Sequence, residues 1–169
     1  MDGGGWTLVY NYDHKGGTNP DVVEGKWPKS EGAFSHVDGI SSYGFQSSDI
    51  EEVRFYCETS NHDRKVHYKT RDRDVVQGIL DNSSTIGYES VANDSAKLAG
   101  HTGFLPDAAR KDTGESEPGP SMFGPGFPMY KTSDYHWSIG EPNRGGNRWE
   151  CDDFPRGAKH DTLHQIWVR

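Results

Sequence analysis

The stretch SDYHWSIGEPNRGGNRWECDDF, residues 133–154, crowds oxygen donors into a short span: Asp134, Glu141, Asn143, Asn147, Glu150, Asp152 and Asp153, with glycines and a proline to bend the backbone and free its carbonyls. Calcium accepts roughly six to eight oxygens from carboxylates, amides, carbonyls and water in forgiving geometry. Asn147, Glu150, Asp152 and Asp153 together with backbone carbonyls could hold such an ion, leaving His136, Glu141 and Asn143 for the ion or for hydroxyls of a ligand. Trp137 and Trp149 flank the acidic loop within this stretch, along with Tyr135 and Tyr130. Aromatic rings stack on the apolar faces of sugars and also fill cores poor in aliphatic residues. The same Asp and Asn residues also collect in loops because they make turns, and their spacing lacks the regular pattern and terminal Glu of an EF-hand.

Other chemistries find less material. His160 and His164 are four apart, but HDTLHQIWVR runs into a strand, where that separation is too long for one zinc without help. There is no H-E-x-x-H, no nucleophile elbow and no phosphate-binding loop. Cys57 sits in a strand pattern, away from a helix start that would favour its thiolate, so no enzyme is expected. The formal net charge is −8 and Lys and Arg are scattered singly, which argues against nucleic acid as a partner. No apolar run is long enough to span a bilayer, and the first residues lack the charged start and apolar stretch of a signal peptide.

The elements that must position the acidic stretch are short. Only 31% of residues are hydrophobic and mean hydropathy is −0.90, so a core has to be assembled from few aliphatics and many aromatic rings. With 21 Gly and 9 Pro, 169 residues imply one domain, 1–169, of short strands between long ordered loops. Trp6 to Tyr12 alternates like a strand with one buried face, and EEVRFYCETS and KVHYKTRD, separated by NHDR, read as a hairpin. Residues 22–48 show no period and read as a long structured loop anchored by Trp27, Phe34 and Phe45. Asp74–Leu80 and Ser90–Leu98 are candidate short helices, capped by Asp74 and Ser90 and the second stopped by Gly100. Residues 111–128 are loop, LHQIWVR is the last strand, His67 is half-buried on its strand, and Trp6 and Trp167 lie inside. Asn82 and Asn93 match the glycosylation triplet and mark surface loops. The two cysteines, Cys57 and Cys151, fit one disulfide closing a long loop and, almost as well, two buried free thiols.

The three glycines before Trp6 permit positive φ and close approach of a ring to a neighbouring strand. DGGGWTLV, Asp2 to Val9, resembles the strand that begins the fibrinogen C-terminal domain and the related intelectin (X-type lectin) domain. Cys151, Asp153 and Phe154 resemble the Cys-Gly-Asp-Phe of intelectins, and the last strand ends in Arg169 as those domains often do. The family's FWLGN-like and WWY-like stretches and its second disulfide have no counterpart, and the tail after Asp153 is shorter, so the resemblance implies a compact, divergent member. Its implied fold is α+β: a loop-rich, fibrinogen-like domain with short antiparallel sheets and few short helices. In intelectin-like domains an Asp and a preceding His help hold a calcium whose open positions accept vicinal sugar hydroxyls; Asp153 matches the first and His136, loosely, the second.

The leading expectation is therefore a noncatalytic, calcium-dependent glycan-binding or adhesin module, extracellular or at the cell surface, within a larger parent protein or an oligomer. A protein-binding or structural fibrinogen-like module, in which calcium only rigidifies a loop, is the alternative. A polysaccharide hydrolase is the third reading.

Overall fold

The computed structural model describes residues 5–15, 22–24, 27–28, 34–36, 40–60, 63, 65–81, 94–102, 130–131, 135–138, 150–151 and 161–169. Its centre is a seven-stranded sheet in the order β2-β3-β1-β10-β4-β5-β6. The strands are β1 (Thr7–His14), β2 (Val22–Glu24), β3 (Phe34–His36), β4 (Val53–Thr59), β5 (Lys65–Thr70), β6 (Ser95–Lys97) and β10 (Thr162–Val168). β2 and β3 run parallel, and every other neighbouring pair is antiparallel. A second, three-stranded sheet joins β7 (Tyr130–Lys131), β8 (Tyr135–Ser138) and β9 (Glu150–Cys151). The fold is thus α+β and loop-rich, with an antiparallel sheet at its heart and few short helices. Among the described residues no helix is long and apolar enough to cross a membrane.

The ladder registers sort the side chains of β1, β10, β4 and β5 onto two faces, because directly opposed residues share a face and neighbours in sequence alternate. One face carries Tyr10, Ile166, Phe55 and Tyr68 in one row and Tyr12, His164, Cys57 and Val66 in the next. All eight are buried, and Phe55 stacks on Tyr68 with ring centroids 5.0 Å apart. This is how a chain poor in aliphatics makes a core: large rings supply most of the buried area per residue. The helix α1 (Arg73–Asp81) adds Val75, Val76, Ile79 and Leu80, and Val9, Ile40, Ile50, Val53, Cys151 and Val168 belong to the same cluster.

The other face is polar and is also withdrawn from water. Asn11, Arg54, His67 and Gln165 are all buried, and Gln165 Nε2 donates to Asn11 Oδ1 at 2.8 Å across the β1–β10 pair. A buried amide needs such a partner, because an unsatisfied polar group costs more than a satisfied one contributes. β1 is therefore buried on both faces from Leu8 to Tyr12 instead of on one. His67, expected half-buried, is 7% exposed, whereas Trp6 and Trp167, expected inside, are each half-buried.

Three other segments differ from the sequence reading. Residues 22–48 contain β2, β3 and a 3-10 turn over Ile40–Tyr43, followed by another over Ser47–Asp49. Strands of three residues are too short to display a period, which is why the segment reads as loop. Trp27 stays 39% exposed and meets the rings of Tyr43 and Phe45 at 5.1 and 5.9 Å. The second candidate helix is absent over its described part: Asp94 adopts φ 49° and Ser95–Lys97 pairs with the outer edge of β5. An open sheet edge offers a ladder of donors and acceptors that outweighs weak helical propensity.

The helix over Arg73–Asp81 forms, but its N-cap is Asp72, not Asp74. Asp72 Oδ1 accepts from the backbone N–H of Asp74 at 2.9 Å and of Val75 at 3.2 Å. At the other end Ser41 Oγ donates to the carbonyl of Leu80 at 2.9 Å. An Asp72→Ala substitution is expected to cost about 1 kcal/mol, read as a lower denaturant midpoint at unchanged slope.

Candidate functional site

The acidic stretch is entered through β8 and left through β9. These two strands pair antiparallel, setting Trp137 opposite Cys151 and Ser138 opposite Glu150, while His136 lies opposite Tyr130 on β7. His136 and Trp137 are thus on the middle strand of the small sheet, and Glu150 is at the start of its edge strand. Glu141, Asn143, Asn147 and Trp149 belong to the connection between β8 and β9, and Asp152 and Asp153 follow β9; these six lie outside the described residues, as do Asn82, Asn93 and His160. Among the described residues, no three His, Cys, Asp or Glu side chains gather closely enough to hold a metal ion.

The acidic stretch is tied to the centre of the fold. Cys57 in the middle of β4 is bonded to Cys151 on β9, across 94 residues of sequence, and both are fully buried. Cys57 faces the core because it alternates in step with Phe55, and that places the attachment of β9 on the aromatic side of the main sheet. His164, the described member of the His160/His164 pair, sits opposite Cys57 on β10 and meets the ring of Tyr12 edge-on at 6.0 Å. It belongs to the core.

Sequence reasoning overlooked the charged groups on the polar face. Glu52, just before β4, is fully buried and accepts from Lys69 Nζ at 2.5 Å, Arg71 Nε at 2.9 Å and Arg169 Nε at 2.7 Å. Burial alone would raise its carboxyl; the three cationic donors overcome that and hold it at about 2, so it is ionised throughout the neutral range. The backbone locks the same place: the N–H groups of Glu51 and Glu52 donate to the carbonyl of Arg169, and the N–H of Arg169 donates to that of Glu52. Arg169 also lies over the Trp6 ring at 4.6 Å, and Arg54 lies 5.9 Å from Trp6 and 5.8 Å from Trp167, cation–π geometry that keeps both guanidinium groups against apolar surface. The legible signal was the period of two: Glu52 and Arg54 at the start of one strand, and Lys65, His67 and Lys69 on its hairpin partner, place every charge on one side.

At the opposite end of the same face lies a cavity of about 270 Å³ lined by Asp13, Lys15, Glu58, Ser60 and Asp161, among others. Lys15 pairs with Asp13 at 2.9 Å and Lys65 with Glu58 at 2.6 Å. Burial pushes the Glu58 carboxyl up, but hydrogen bonds from Lys65 and the Tyr56 hydroxyl bring it below its ordinary value. Two of the three carboxylates thus already hold cations of the chain itself. In comparison with known proteins, no family model, no curated protein and no solved structure matches the chain.

Proposed function

We propose that this chain is a noncatalytic, calcium-dependent glycan-recognition module of the fibrinogen-like and intelectin-like kind. The observation that carries the reading is the anchoring of the acidic stretch: the β8–β9 pairing draws the two ends of residues 139–149 together, and the Cys57–Cys151 bond fixes that pair to the core. A loop whose ends are already held loses less entropy when it wraps an ion, so the cost of organising several oxygens around calcium falls. In this proposal Asn147, Glu150, Asp152, Asp153 and backbone carbonyls hold the ion, and His136, Trp137, Glu141, Asn143 and Trp149 meet the sugar. Calcium then supplies positions for vicinal hydroxyls, while the aromatic residues offer surface for the sugar ring. A buried disulfide supports an extracellular or cell-surface setting, since such bonds persist in oxidising compartments.

A ligand that binds only the folded chain stabilises it by mass action, about 2.7 kcal/mol at a hundredfold excess over its dissociation constant. For a chain of this size the melting temperature is expected to rise by roughly 5–10 °C on adding calcium and to fall back with chelator. No shift would remove the ion from the proposal. Glycan-array binding that disappears with chelator supports recognition through the ion. Array binding indifferent to chelator, or none beside a clear calcium shift, points instead to a module in which calcium only stiffens a loop.

A further inference from the structure

Trp27, expected to anchor a loop, and Tyr43 are the large apolar side chains left exposed among the described residues, each at 39%. They are not scattered singly. Their ring centroids lie 5.1 Å apart with planes tilted by 56°, and Phe45 lies 5.9 Å from the indole at 59°. Phe45 packs against the core cluster, so the exposed pair stands on a firm base. The chain that carries Tyr43 is held on both sides. Ile40 and Ile50 are buried, the Ser41 hydroxyl donates to the Leu80 carbonyl at 2.9 Å, and Arg73 donates to the Ile50 carbonyl at 2.9 Å and to Ser47. The Gly44 N–H donates to the Ser41 carbonyl at 3.0 Å, and at φ 88° Gly44 turns the chain between the Tyr43 and Phe45 rings, with open space where a side chain would stand. A patch that is already ordered loses little freedom when a ligand settles on it.

We infer that Trp27 and Tyr43 form a stacking platform for a neutral, β-linked oligosaccharide, a second sugar site that needs no metal. Area argues first. Two rings at this exposure offer roughly 120–200 Å² of aromatic surface, far short of the roughly 800 Å² that a stable protein interface takes from each partner, yet enough to meet the faces of a pair of sugar rings. Charge argues next. Residues 40–48, ISSYGFQSS, carry no charged side chain, and exposed Ser42 and Gln46 bring a hydroxyl and an amide to the rim. A phosphate-bearing ligand would need cations there, and a chain of formal charge −8 repels it. A pyranose whose ring substituents are all equatorial presents axial C–H groups on both faces; these lie against the aromatic rings while the hydroxyls reach outward to polar groups. Because the two planes are tilted by 56°, one flat pyranose lies against only one of them, and the adjoining unit of an oligosaccharide meets the other. The platform goes beyond the calcium reading and does not rest on it, since none of its residues lies within 133–154.

The test uses the intact, isotope-labelled chain in chelator, so that no calcium-borne sugar site contributes. Titration with cellotetraose or chitotetraose is expected to move the Trp27 indole N–H and the Tyr43, Gly44 and Phe45 amides saturably in NMR spectra, leaving the β1–β10 amides in place. Glucose, which meets one ring only, should bind roughly tenfold more weakly than cellotetraose. Trp27→Ala and Tyr43→Ala are each expected to weaken binding roughly tenfold or more, whereas Trp27→Phe keeps a stacking face and should retain most of it. Both residues are exposed, so these variants should keep the fold, seen as unchanged β1–β10 amide positions. No saturable movement up to about 10 mM of either saccharide, where a millimolar site would be mostly filled, would overturn the platform. So would movement confined to residues 133–154, or movement of the Tyr43–Phe45 amides with protein concentration alone, the mark of a contact between chains. Binding here by a chain whose melting temperature ignores calcium would sustain the platform while removing the calcium reading. The titration of the parent chain decides the matter even if a variant does not fold.

Discussion

A Cys57→Ala/Cys151→Ala chain is expected to be less stable than the parent by about 4 kcal/mol, since the bond closes a long loop and the chain-entropy cost of leaving it open grows with loop length. The residues in that loop, 94 apart in sequence, include β5, α1, β6 and the small sheet. Both sulfurs are fully buried in the aromatic core, so alanine also leaves a small void there. The melting temperature should drop by roughly 10 °C, and reduction of the parent chain should reproduce most of that drop. The same change frees β9 from β4, so the proposal for the acidic stretch carries a second expectation: the calcium-induced rise in melting temperature shrinks in the double variant. A variant as stable as the parent would show that the bond adds nothing to the stability of the chain.

Glu52→Gln is expected to cost about 3 kcal/mol at pH 7, a value at the low end for breaking a buried ionic group because Lys69, Arg71 and Arg169 remain partly in solvent and are screened. The substitution leaves three cations around a neutral amide. Its pH dependence follows from a folded-state carboxyl held at about 2, below its ordinary value near 4.5. A depressed carboxyl contributes its full stabilisation above the unfolded value and loses it as pH falls toward the folded one. The stability gap between parent and variant should therefore be widest above about pH 5 and close progressively down to about pH 2. Urea midpoints at pH 7 and pH 2.5 measure it. A gap of equal size at both would show that shape, not charge, accounts for the loss.

The hairpin of β4 and β5 was legible because EEVRFYCETS and KVHYKTRD carry β-branched and aromatic residues around a polar turn, which is a local signal. β1 and β10 were legible for the same reason. That β10 lies between β1 and β4 was not, since pairing partners far apart in sequence leave no mark on either strand alone. The alternation at Trp6, Leu8 and Tyr10 suggested one buried face, yet Val9 and Asn11 are buried too; a strand in the middle of a sheet whose second face is also covered loses the apolar–polar contrast on which the period depends. Asp72 was passed over for Asp74 because either carboxylate could cap, and the choice depends on where Arg73 enters the helix. For the candidate site, the oxygen-rich composition of residues 133–154 was visible from the start, and so was the pairing option for Cys57 and Cys151. For Glu52, Arg54 and His67 the period of two marked a shared side but not their burial, because a charge that will be buried looks like any solvated one until its partners arrive from β5 and from residue 169.

The position of β10 also decides when the sheet can exist during synthesis. A ribosome delivers β1 first and β4 soon after, but neither can pair with the other, because the strand that belongs between them is made after every other strand in the sheet. Until residues 162–168 leave the exit tunnel, the nascent chain carries two aromatic-rich strands with open flanks and no native neighbour between them, the condition in which growing chains aggregate or recruit chaperones. Assembly of the sheet is thereby deferred until residues 162–168 are available, and a chain interrupted before them would lack the strand at its centre.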